Sequence, residues 1–116
     1  MEAPEDINEK VAQLQTIQQQ LQLILTQKYQ YEIEAKEIES TLKELKSLPE
    51  DTPVYRSIGA ILVRVKDREE LIKELEERKE NIEVRLKGIE KQESVLRGRY
   101  DVLQREIAKF LRTGKG

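Results

Sequence analysis

The chain has 116 residues, of which 38% are charged and only 37% apolar, against roughly 45–50% apolar in ordinary globular domains, so a conventional round core is excluded. Leu, Ile, Val and Phe still make up about 28%, above the roughly 20% below which chains tend to stay disordered, and a single folded domain over 1–116 is expected. The absence of Cys and His excludes disulfides, thiolate chemistry and imidazole catalysis, and a net charge of −2 gives no reason to expect nucleic acid as a partner.

Charge is nonetheless uneven. Glu2, Glu5, Asp6 and Glu9 stand at the start, whereas Arg97, Arg99, Arg105, Lys109, Arg112 and Lys115 dominate the end, and the two regions are expected to be solvated faces that attract each other. The acidic start lacks an apolar stretch, and the longest apolar run, Ala60–Val63, is too short to cross a bilayer. A cytoplasmic chain with no membrane contact is the expectation.

Pro4 marks the beginning of the first element, a helix predicted over about 5–47. Its apolar residues recur in alternating steps of three and four: Ile7, Leu14, Ile17, Leu21, Ile24, Tyr31, Ala35, Ile38, Leu42 and Leu45, with Lys10 and Lys28 as the polar exceptions. Such a 3.5-residue repeat needs a second helix to cover it. The glutamines between Gln13 and Gln30 interleave with this seam and read as a polar helix face.

Pro49 and Pro53 break the helix. The period then changes from seven to two in "VYRSIGAILVRV", rich in β-branched residues around Gly59-Ala60, which predicts one β-hairpin over about 54–65. Two strands alone leave unpaired backbone edges. Val54, Ile58, Ile61, Val63 and Val65 are therefore the candidate subunit-assembly residues, the alternative being a hairpin tucked over the chain's own helices.

A second helix is predicted over about 68–112. Asp67 followed by Glu70 resembles a capping box, and the seam resumes at Ile72, Leu75, Ile82, Leu86, Ile89, Leu96, Tyr100, Leu103, Ile107 and Phe110, with Lys79 and Glu93 as its exceptions. Gly88 and Gly98 are expected to soften this helix. If the helices fold back antiparallel, a constant position sum near 121 sets Leu14 against Ile107, Leu21 against Tyr100 and Ala35 against Leu86. The same sum sets Lys28 against Glu93, which predicts an oppositely charged pair that holds the register.

No Gly-rich phosphate loop, metal-ligand cluster or nucleophile-base pair stands out, so neither enzymatic activity nor a cofactor or metal is expected. The order of long helix, "LPEDTPVYRSIGAILVRVKDREEL" and long helix, together with "LQTIQQQLQLILTQK" and "IEKQESVL", resembles the β-type subunits of archaeal prefoldin. The single hairpin matches the β-type, the α-type having two. The resemblance implies a mainly α fold, a long antiparallel coiled-coil helical hairpin with one β-hairpin at the connection, which joins an intersubunit β-barrel. It further implies a hexamer of two α and four β subunits that holds non-native proteins without ATP and delivers them to a group II chaperonin. The chain departs from some relatives in lacking a Met- or Gly-rich tail after Leu111.

About 40 helical residues would give an arm of roughly 60 Å, with both chain ends at its free end. Val11, Leu23, Leu25, Val95, Val102 and Leu111 flank the seam there, beyond what a two-helix seam covers. The candidate client-binding residues are Ile7, Val11, Leu14, Ile17, Val102, Leu103, Ile107, Phe110 and Leu111; the seam members among them need the terminal turns to open. A structural coiled-coil oligomerisation or spacer protein is the alternative, which leaves the hairpin's bare edges unexplained.

Overall fold

The computed structural model describes residues 4–113. The order is helix α1 (Pro4–Ser47), strand β1 (Tyr55–Ile58), strand β2 (Ile61–Arg64) and helix α2 (Arg68–Thr113), so the predicted two long helices and single hairpin are present. The chain divides into two compact units. One comprises the described residues up to Gln30 and from Lys87 on, here the helix-end unit; the other, Tyr31–Leu86, is the hairpin unit.

Within the hairpin unit, α1 stops where Pro49 disfavours a helical conformation for the residue before it. The freed backbone carbonyls at and after this end then need donors. Arg68, the first residue of α2, supplies them: its guanidinium donates to the carbonyls of Leu48 at 3.0 Å, Pro49 at 2.7 Å and Thr52 at 3.3 Å. A cation at a helix C-terminus also complements the helix dipole. At the start of α2, Asp67 Oδ1 accepts from the Glu70 amide at 3.3 Å, as the cap reading required.

The strands pair antiparallel, Tyr55 with Arg64 through Ile58 with Ile61. Gly59 has φ +59° and no non-glycine residue has positive φ among those described, which is the arrangement of a type II′ turn with glycine first. Beyond the strands, the Val65 amide donates to the Val54 carbonyl at 2.8 Å. Both valines then turn their side chains onto the helical core of this unit, formed by Ile38, Leu42, Leu45, Leu71, Ile72 and Ile82. Ile82 is 1% exposed. Leu71 is buried although it lies off the seam; a heptad pattern cannot register cover that arrives from a neighbouring hairpin.

The helix-end unit has a smaller core of Ile17, Leu21 and Leu96, extended by Ile24, Tyr100 and Leu103. Helix α2 continues through Gly88 and Gly98, and a methyl group at either position would meet nothing within 4 Å. Gly88→Ala is therefore expected to stabilise the protein by about 1 kcal/mol, the ordinary helix-propensity gain. Gly59→Ala should instead destabilise it by about 1–2 kcal/mol, because only glycine adopts that left-handed φ without strain. Urea denaturation of the two variants checks both signs.

Candidate interaction surfaces

In each unit an ion pair joins the two helices. In the helix-end unit, Lys28 Nζ lies 3.0 Å from Glu93 Oε1, the pair anticipated from the position sum. The site is a triad, since the Arg97 guanidinium bonds the other oxygen of Glu93 at 2.9 Å. The Lys28 bond, followed by that from Arg97, holds the Glu93 carboxyl below its ordinary range, against the opposing effect of desolvation.

The remaining polar seam residues are also matched. Lys10 meets Glu106 at 2.7 Å, and in the hairpin unit Lys79 lies 4.0 Å from Glu39. Those carboxylates stand beside the seam, next to Ile107 and Ile38, which is why a seam-to-seam pairing rule does not find them. The Lys10–Glu106 pair also has its cation on α1 and its anion on α2, the reverse of the attraction expected from the terminal charge imbalance.

The candidate client residues all fall in the helix-end unit and differ in access. Val102 and Leu111 are 51% and 72% exposed. Ile7, Val11, Leu14, Leu103, Ile107 and Phe110 are half-buried. Ile17 is buried with Leu21 and Leu96, so no partner reaches it while this core is closed. Of the flanking residues, Leu23, Leu25 and Val95 are exposed and Val11 is not. Tyr29 is exposed as well, and its place one residue after Lys28 of the seam is the same signal that marks the others.

In the hairpin, every strand residue is exposed. The register puts Ile58, Ile61, Arg56 and Val63 on one face and Tyr55, Ser57, Leu62 and Arg64 on the other. Arg56 is tied to Glu74 of α2 at 3.2 Å. Ile58 and Ile61 remain more than half exposed, while Val54 and Val65 are committed to the chain's own core. Tyr55 and Leu62, at 56% and 72% exposure, are a second set of apolar residues, on the opposite face and diagonal to each other across the strands. No helix among the described residues is long and apolar enough to cross a membrane.

These features define a class: paired long helices joined by one two-stranded sheet with both edges open and apolar side chains on both of its faces. Comparison with known proteins agrees. The family described as "Prefoldin subunit" matches residues 8–113. The prefoldin subunit beta of Archaeoglobus fulgidus is 43% identical over 110 residues, covering 95% of this chain and 94% of that protein. That of Thermoplasma volcanium is 42% identical over 101 residues, covering 87% and 82%. The crystal structure of the prefoldin beta subunit from Thermococcus strain KS-1 superposes with a TM-score of 0.84 at 35% identity, covering 96% of each chain. The chain belongs to the prefoldin family, as a β-type subunit.

Proposed function

We propose that this chain is one subunit of a cytoplasmic, ATP-independent holdase, which assembles with an α-type partner in a hexamer of two α and four β subunits. Its hairpin pairs with those of neighbouring subunits to close a β-barrel, its helix ends hold non-native proteins, and the assembly passes them to a group II chaperonin. The observation that carries this reading is the exposure of every residue in both strands, in a chain that also leaves Val102 and Leu111 in water at the helix ends. A two-stranded sheet is marginal alone and gains most by adding strands at its edges. Individual client contacts are weak. Several helix ends displayed on one platform act together because linkage raises effective concentration.

The test is removal of 1–15 and 103–116 from the chain assembled with its partner. Native mass should fall only by the missing residues, while most of the suppression of aggregation of a denatured test protein, measured without nucleotide, is lost. Full protection by the truncated assembly would move the client site elsewhere, and an intact assembly that never protects would leave a structural spacer.

A further inference from the structure

Within the helix-end unit the two sides of the helix pair differ in charge. Along one side run two grooves that share Gln20 and Arg99 and so form one stripe. Helix α1 contributes only uncharged residues to it, drawn from the stretch between Lys10 and Lys28 that contains no charge at all. Helix α2 contributes Lys91 and Arg99, the only charged residues in the stripe. Neither side chain makes a hydrogen bond or ion pair with another of the described residues. The groove on the opposite side differs: it contains Asp101, and its cation Arg97 is already neutralised by Glu93.

The stripe also has depth and apolar walls. Ala12 and Gly98 leave space where larger side chains would stand, and Leu23, Val95 and Val102 are 73%, 54% and 51% exposed. Along α2, Lys91 and Arg99 are eight residues apart, hence about 12 Å along the helix. That matches two side chains four residues apart in an extended segment, at about 3.4 Å per residue.

We infer that this stripe docks extended, apolar segments of non-native proteins that carry carboxylates at that spacing, with apolar side chains over Val95, Gly98 and Val102 and the carboxylates on Lys91 and Arg99. The inference rests on the holdase reading and adds a charge preference to it. Exposed ion pairs are individually weak, but replacing two attractions by two repulsions compounds to about tenfold in affinity.

The test uses the full-length chain and three fluorescein-labelled peptides identical in apolar residues, with two Glu, two Gln or two Lys four positions apart, in fluorescence anisotropy at low salt. The Glu peptide should bind about tenfold tighter than the Lys peptide, with Gln between. Lys91→Glu combined with Arg99→Glu should reverse the order, and Gly98→Leu should weaken all three. Equal affinities, or an order that survives the double charge reversal, would overturn the inference. Aggregation suppression by the unaltered assembly is read separately: its absence defeats the holdase reading, whereas the charge preference is decided by the peptide affinities alone.

Discussion

Ile58→Asp combined with Ile61→Asp is expected to abolish assembly with the α-type partner while leaving helical circular dichroism nearly unchanged. The two isoleucines face each other across the strands and are 53% and 61% exposed, so within the isolated chain they contribute little to packing. Burying an isoleucine in an interface contributes about 1.5–3 kcal/mol, and a carboxylate without a partner in the same place costs several kcal/mol more. Two such changes weaken association by more than about a thousandfold. Native mass spectrometry of the mixture reads the outcome directly. A variant that still assembles would place the assembly surface outside this face of the hairpin, with Tyr55 and Leu62 on the opposite face as the next residues to change.

The second large effect is expected at the triad in the helix-end unit. Lys28→Glu sets a new carboxylate against Glu93 in a partly covered position and should destabilise the protein by about 2 kcal/mol, the scale of a lost charged hydrogen bond with added repulsion. Adding Glu93→Lys restores attraction between the helices but places the new cation beside Arg97, so recovery should be partial. Complete recovery requires Arg97→Gln as well. Thermal melts of the single, double and triple variants test this order, and equal destabilisation in all three would reject the triad as the register device.

The same site carries a pH dependence of definite sign. Because folding lowers the Glu93 pKa, its contribution is present above the unfolded-state value and is lost as pH falls through the lower folded value. The stability difference between the unaltered protein and Glu93→Gln should therefore be largest near neutrality and shrink as the medium is acidified below the ordinary carboxylate range.

Much of this architecture is written in local sequence. Heptad spacing declares two helices that need partners, the shift to period two with Gly59-Ala60 declares the hairpin, and Asp67 with Glu70 marks the start of α2. Each depends on residues within a few positions of one another, where backbone geometry alone decides which side chains share a face. Even the Lys28–Glu93 contact was legible, because antiparallel pairing makes register a single unknown and two polar exceptions suffice to set it.

Tertiary structure decided what depends on choice among distant alternatives. Lys10 and Lys79 have several carboxylates within reach of a long flexible side chain, and packing brings Lys10 to Glu106 and Lys79 to both Glu39 of α1 and Glu83 of its own helix. Arg97 joins Glu93, Arg68 closes over the carbonyls after α1, and Val54 and Val65 turn to the core while Ile58 and Ile61 stay in water. Leu71 is buried off its seam, and the helix-end unit acquires a stripe of two grooves whose only charged lining residues are the two cations Lys91 and Arg99. Periodicity sorts residues onto faces. Which face is covered, and by which partner, follows from contacts between segments tens of residues apart, whose energies depend on three-dimensional placement that no short window of sequence contains.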